Sequence, residues 1–236
     1  MAGGKGTRLF GVGGGSKALL KVGGKHLIEY ILSESIASGI REICVIVRHG
    51  DKSLIEFLDT QADSCTVKII ETASDGTMAA VLLLAEVFAG SEFVLSTCDV
   101  IAPSGTLALL AAKAESAKNA GLSPLVVFLA TQWVHDETPI WLEADGSGRV
   151  VRYGKGIKPA SRVFGNVRWC STDFLDCASR VEWDGINTDT QLMAAMVRGY
   201  PGRLLSVSSP GRVFDVDDFE DLRLAEQFLR RAARRS

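Results

Sequence analysis

From Lys25 to Leu129 the chain repeats one texture: apolar residues at helical spacing, then a short apolar, β-branched run, and this constrains the fold more than any other feature. Residues 26–38 place Leu27, Ile31 and Leu32 on one stripe that stops at Gly39, and residues 42–47 (EICVIV) follow as a continuous strand-like run. The same pairing recurs as helix 52–58 with strand 66–70, helix 78–88 with strand 93–97, and helix 104–119 with strand 125–129. Such alternation predicts parallel strands joined by right-handed crossovers, and strands apolar on both faces predict helices on both sides. After about Ala130 the texture changes to short strands at 140–142, 150–153 and 163–169 around the turn Asp145-Gly146-Ser147-Gly148, an antiparallel addition. Helices near 173–180 and 190–198, strands near 204–207 and 213–216, and a last helix at Phe219–Ala233 with Asp218 as its N-cap complete the reading. The expected fold is α/β, a three-layer open Rossmann-like sheet, mixed but mostly parallel, in a single domain with halves 1–129 and 130–236.

Composition narrows the partners. With 47% hydrophobic and 23% charged residues the chain reads as soluble and globular, and a net charge of -2 argues against a nucleic-acid binder. Arg230, Arg231, Arg234 and Arg235 form a basic run suited to a solvated last helical turn. No apolar stretch approaches the roughly 18 residues of a membrane span, and no secretory leader is visible, so a cytoplasmic protein is expected. Cys44, Cys65, Cys98, Cys170 and Cys177 are scattered without a C-x-x-C pair and read as reduced thiols. His26, His49 and His135 show no zinc-ligand spacing. Trp133, Trp141, Trp169 and Trp183 suit core packing or subunit contacts in a homo-oligomer.

The opening, MAGGKGTRLFGVGGGSK, can wrap a polyphosphate. Gly3, Gly4 and Gly6 let backbone N–H groups approach phosphate oxygens, while Lys5, Arg8 and Lys17 supply positive charge. It is not G-x-x-x-x-G-K-[ST], because Gly6 follows Lys5, and not G-x-G-x-x-G, because Leu9 stands at the third glycine. Asp99 follows the run FVLST, at the strand end where open sheets place their ligands, so it is the first candidate for a metal. Mg2+ takes one or two carboxylates besides phosphate oxygens; Asp215 and Asp217, two apart on one strand face, are the candidates for the second.

AGGKGTRL followed by Ser16-Lys17 resembles the signature of the sugar-1-phosphate nucleotidylyltransferases, with Ser-Lys similar to the thymidylyltransferase variant. The resemblance continues in order: ETASDGTMAA with the base-reading loop, Thr97-Cys98-Asp99 with the metal aspartate, and VVRYGKGIKP with the segment ending in Glu-Lys-Pro. Phe164-Gly165-Asn166 lies near the family's sugar-contacting glycine, and FDVDDFEDLRLAE is similar to its C-terminal block. The resemblance implies a GT-A-like nucleotidyltransferase fold, a nucleoside triphosphate held by Ala2, Gly3, Gly4, Gly6, Thr7, Gly76 and Thr77, and catalysis by Arg8, Lys17 and Asp99 with Mg2+ on Asp99, Asp217 and Asp215. It places a phosphorylated small-molecule acceptor on Lys158, Gly165 and Asn166; Thr188 and Asp189 echo a Thr-Asp pair of the family but also suit a helix cap.

The implied activity transfers a nucleoside monophosphate to a sugar 1-phosphate and releases pyrophosphate. Ile157 stands where the family carries Glu, which opens the alternative of a cytidylyltransferase acting on phosphocholine, a cyclitol phosphate such as inositol phosphate, or a phosphonate. A non-catalytic nucleotide-binding homologue is a second alternative. A strand of about five or six residues should precede the glycine loop, and the natural reading frame is expected to extend upstream of Met1 with an apolar run.

Overall fold

The computed structural model describes residues 15–61, 65–73, 81, 83–84, 87–133, 138–158 and 160–233. A 3₁₀ turn at Lys17–Leu19 leads through the antiparallel pair β1 (Lys21–Val22) and β2 (Lys25–His26) into α1 (Leu27–Ala37). The His26 N–H donates to the Glu29 carboxylate at 2.6 Å to start α1, and Gly39, at φ +85°, takes the left-handed conformation that stops it. Then β3 (Glu42–Arg48), α2 (Lys52–Asp59) and β4 (Thr66–Thr72) form a crossover unit in which β3 and β4 pair in parallel along all seven residues. Val81, Leu83, Leu84, Val87 and Phe88 are helical, within the helix expected at 78–88.

The chain continues through β5 (Phe93–Ser96), β6 (Val100–Ile101), α3 (Thr106–Asn119), β7 (Val126–Thr131), β8 (Ile140–Ala144), β9 (Val150–Lys155) and β10 (Arg162–Cys170). It ends with α4 (Phe174–Ser179), α5 (Asp189–Gly199), β11 (Leu204–Ser208), β12 (Phe214–Asp215) and α6 (Phe219–Ala233). The main sheet has the order β11-β7-β10-β8-β9, with β5 also paired to β10. β7 and β11 are parallel, whereas β10 runs antiparallel to both β7 and β5. The antiparallel segment is therefore not confined to a margin: β10 lies in the middle of the sheet. Its last four residues are all buried, and a strand buried on both faces requires cover on both sides.

β7 shows how the layers close. All six of its residues are buried; Val126, Phe128 and Ala130 face a cluster with Phe174, Leu192 and Met196, while Val127 and Leu129 face one with Leu107 and Leu110. One strand thus serves two cores, with α4 and α5 on one side and α3 on the other. α6 packs through Leu222, Ala225 and Leu229 against Val22, Leu27 and Phe214. The five cysteines are free thiols, four of them buried. No helix among the described residues is long and apolar enough to cross a membrane.

Candidate active site

Three short elements converge at one edge of the sheet. Lys17 lies in the 3₁₀ turn, Asp99 follows β5, and Asp215 ends β12. The pairing of β12 with β6 sets Asp215 opposite Val100, and the Val216 N–H donates to the Asp99 carbonyl at 3.1 Å, which fixes the two segments side by side. Val216 is fully buried in the α6 core, so Asp215 and Asp217 turn to the other side, as strand alternation expects. Asp218 caps α6 by accepting from the N–H groups of Glu220 and Asp221 at 2.8 and 2.9 Å. Asp221 reciprocates, its carboxylate accepting from the N–H groups of Asp217 and Asp218 at 3.0 and 3.2 Å, so the cap also holds Asp217 in place.

The Lys17 ammonium bridges two of these acids, 2.6 Å from Asp99 Oδ2 and 2.5 Å from Asp217 Oδ1. One carboxylate oxygen each from Asp99, Asp215 and Asp217 lie within 4.8 Å of one another. Asn166 Nδ2 donates to Asp215 Oδ2 at 2.5 Å. Among the described residues Asn166 alone has a positive φ without being glycine, at +54°, where the β10–β7 register shifts between Phe164 and Arg168.

Burial by itself would lower the Lys17 pKa, but the Asp99 and Asp217 carboxylates override it and hold the ammonium well above the ordinary lysine value. Burial would likewise raise the Asp99 carboxyl, and the Lys17 charge, with its hydrogen bond, instead holds it below the usual carboxylate range. A carboxyl depressed in the folded state contributes stability above its unfolded value of about 3.9 and loses it as pH falls through the folded one. The melting-temperature difference between the wild type and Asp99→Asn, each without divalent cation, should therefore be flat from about pH 5 to about pH 8 and shrink below about pH 4.

The acids fit a hard divalent cation. Mg2+ binds oxygen donors, usually a few carboxylates with the remaining positions left to phosphates and water, and three carboxylates converge here. Asp99 Oδ1 is buried and accepts no hydrogen bond of normal geometry, which leaves it available as a ligand. In the cation-free chain Lys17 supplies the compensating charge. Lys17→Met should therefore melt earlier than the wild type in EDTA, and millimolar Mg2+ should recover more of the loss in the variant than it adds to the wild type. Differential scanning calorimetry with and without Mg2+ measures this directly.

A cleft of about 670 Å3 opens beside Asp215 and Asp217. Lys155 and Thr138 line it from the β8–β9 side, Thr188, Thr190 and Gln191 from the start of α5, and Asn166 from β10. Of the residues expected to hold an acceptor, Asn166 lines this cleft, whereas Lys158 is exposed and is not part of its wall. Gly165 faces Leu129, where a Cβ would come within 3.0 Å of Leu129 Cδ2, so its lack of a side chain serves packing inside the sheet. Thr188 caps α5 by accepting from the Gln191 N–H at 3.2 Å. Asp189 makes a paired contact with Arg168, both Nη atoms lying 2.7 Å from its two carboxylate oxygens. Ala2, Gly3, Gly4, Gly6, Thr7, Arg8, Gly76 and Thr77 lie outside the described residues.

Two residues were not singled out by the sequence. Among the described residues Lys155, rather than Lys158, lines the cleft; the signal was Gly154-Lys155-Gly156, where Gly156 takes φ +68°. Arg168 is 1% exposed, and its only signal is an arginine between the apolar residues Val167 and Trp169.

An open α/β sheet with a lysine and three carboxylates at its carboxyl edge defines a phosphate-handling enzyme of the nucleotidyltransferase class. A family model described as the MobA-like NTP transferase domain matches residues 1–144, and the chain belongs to that family. It is a nucleotidyltransferase, and the resemblance carried by its opening motif is borne out. No curated protein matches at a significant level. Among solved structures, a protein assigned as a glucose-1-phosphate thymidylyltransferase from Bacillus anthracis, solved with sucrose, is 17% identical with a TM-score of 0.79, covering 97% of this chain and 93% of that one. The inositol-1-phosphate CTP transferase of T. maritima is 17% identical with a TM-score of 0.76, covering 95% and 91%. A UDP-glucose pyrophosphorylase complexed with UDP-glucose is 13% identical with a TM-score of 0.79, covering 98% and 97%. At such identities the likeness is one of fold.

Proposed function

We propose that the protein transfers a nucleoside monophosphate from a nucleoside triphosphate to a sugar 1-phosphate, forming a nucleoside diphosphate sugar and releasing pyrophosphate. The observation that carries this reading is the Lys17–Asp99–Asp217 cluster opening directly into a cleft lined by hydroxyl and amide side chains and Lys155. An acceptor phosphate oxygen attacks the α-phosphorus, the bond to the bridging α–β oxygen breaks, and the electron pair leaves with pyrophosphate. No covalent intermediate on the protein is required. Bound Mg2+, held by Asp99 and Asp217 with Asp215, would neutralise charge on the phosphates. Lys17, released from the carboxylates it bridges, offers its ammonium to the α-phosphate, and Arg8 suits the leaving phosphates through its planar fork. Lys155 attracts the acceptor phosphate, while Thr190, Gln191 and Asn166 orient its hydroxyl groups.

A second reading, a cytidylyltransferase acting on a cyclitol phosphate, rests on Ile157. Its side chain packs toward Gly154, and among the described residues the carboxylates lining the cleft are those of Asp215 and Asp217. Both readings share the cleft and differ in the acceptor. A matrix of nucleoside triphosphates against sugar 1-phosphates, inositol phosphate, phosphocholine and phosphonates, read by phosphorus NMR of the product, separates them. A nucleoside diphosphate sugar supports the first reading, and turnover only with CTP and a cyclitol phosphate replaces it with the second.

A further inference from the structure

Asn166 joins three strands at the carboxylate cluster. On one side β10 pairs with β5 from Val167, opposite Ser96, to Cys170, opposite Phe93. Just beyond that ladder the Asn166 C=O accepts from the Thr97 N–H at 3.3 Å, two residues ahead of Asp99. On the other side β10 runs against β7, where Phe164 lies opposite Ala130 and Arg168 opposite Phe128. Four steps along β10 thus span two along β7, and the surplus bulges at Gly165, Asn166 and Val167. A bulge re-aims a side chain at the edge of a site. Val167 stays buried in the cluster with Leu107 and Leu129, whereas Asn166, at φ +54°, lines the cleft.

The Asn166 Nδ2 donates to Asp215 Oδ2 at 2.5 Å. An ionised carboxylate only accepts, so the amide meets it with its NH2 group and keeps its oxygen for another partner. Backbone and side chain of one residue therefore grip both segments that carry the acids. The carbonyl holds the chain just past β5, ahead of Asp99, and the amide holds Asp215 at the end of β12. Lys17 bridges Asp99 and Asp217, and Asn166 supplies the corresponding hold on Asp215. A left-handed backbone is strained for most side chains and free for glycine; asparagine tolerates it and adds a donor that glycine lacks.

We propose that Asn166 is a positioning residue for the divalent cation: its amide fixes the orientation of the Asp215 carboxylate, so that Asp215 converges with Asp99 and Asp217 on one ion. Partners of this kind, one step behind the ligands, set how tightly a metal is held. The inference rests on the divalent site of the proposed reaction, but not on the acceptor or on the direction of transfer.

The test titrates Mn2+ into the full chain without nucleotide or acceptor and reads free Mn2+ by electron paramagnetic resonance. It compares the wild type, Asn166→Gly, Asp215→Ala and the double variant. Glycine accepts the +54° backbone, so the bulge is kept and only the amide is lost. Asn166→Gly is expected to bind Mn2+ roughly 10-fold more weakly with unchanged near-UV circular dichroism. In the Asp215→Ala background the same change should weaken binding by less than about twofold, because the group it acts through is already gone. Wild-type affinity in Asn166→Gly would overturn the proposal and leave the divalent site standing, and no Mn2+ binding by the wild type would remove both. Equal losses in the two backgrounds would also overturn it, since Asn166 would then act by a route other than Asp215. So would loss of near-UV circular dichroism together with Mn2+ binding in Asn166→Gly, which reports collapse of the bulge.

Discussion

Asp99→Asn is expected to lower kcat by roughly 10²–10³-fold, the scale on which removal of one preorganised electrostatic group reduces an enzyme's rate. The amide keeps the shape of the side chain and removes its charge. Asp99 has a side chain only 18% exposed, and it sits at the junction of Lys17 and the other two acids. Losing its charge would weaken the proposed divalent site and remove one of the two carboxylates that Lys17 bridges. Asp217, 44% exposed, retains its contact with the ammonium, so the fold should survive. Asp217→Asn should cost less, because a more exposed carboxylate is more easily replaced by water. Steady-state pyrophosphate release, with circular dichroism to check folding, reads both variants; Asp99→Asn at the wild-type rate would contradict the assigned role.

The second large effect falls on stability, away from the carboxylate cluster. Arg168 is 1% exposed in the C-terminal half of β10, its guanidinium pairs with Asp189 through two 2.7 Å contacts, and its Cζ lies 5.8 Å from the centre of the Phe174 ring. Burial alone would make this charge costly, and the Asp189 carboxylate compensates it, holding the guanidinium pKa above its ordinary value. Asp189→Ala strands the guanidinium and should cost about 3–5 kcal/mol. For a chain of this size that lowers the melting temperature by roughly 6–20 °C, a large part of a typical total stability. Arg168→Met in the same background removes the stranded charge and should recover most of the loss. Asp189 also opens α5, whose first turn carries Thr190 and Gln191 into the cleft. At a temperature where Asp189→Ala is still folded, the acceptor KM should therefore rise more than kcat falls. Urea unfolding of the two variants and the double variant, with kinetics at low temperature, checks both parts.

Much of the fold was legible because local and global signals agree. The stripe ending at Gly39, the continuous run from Glu42 and the Asp218 cap each specify an element by local chemistry, and the structure places those elements as expected. Strand order was not legible. Local texture marks a strand at 163–169 but does not say which strands flank it, and its place between β5 and β7 follows from packing across the sheet. The site was legible in its residue types and not in its contacts. Lys17 meets Asp99 across 82 positions and Asp217 across 200, separations at which only topology brings side chains together. Asp189 read as a cap because aspartate suits a helix start, and its partner Arg168 lies 21 residues earlier on a strand with no local reason to pair with it.

Lys17, Asp99 and Asp217, with Asp215, are proposed to serve nucleotidyl transfer at the α-phosphorus. The most direct test follows the fate of two labels, one on the α- and one on the γ-phosphorus of the nucleoside triphosphate, in the presence of Mg2+ and a phosphorylated acceptor. Nucleotidyl transfer sends the α label into the organic product and the γ label into pyrophosphate, and EDTA should abolish both. Transfer of the γ label to the acceptor, or release of neither label with any nucleotide and acceptor pair, would contradict it.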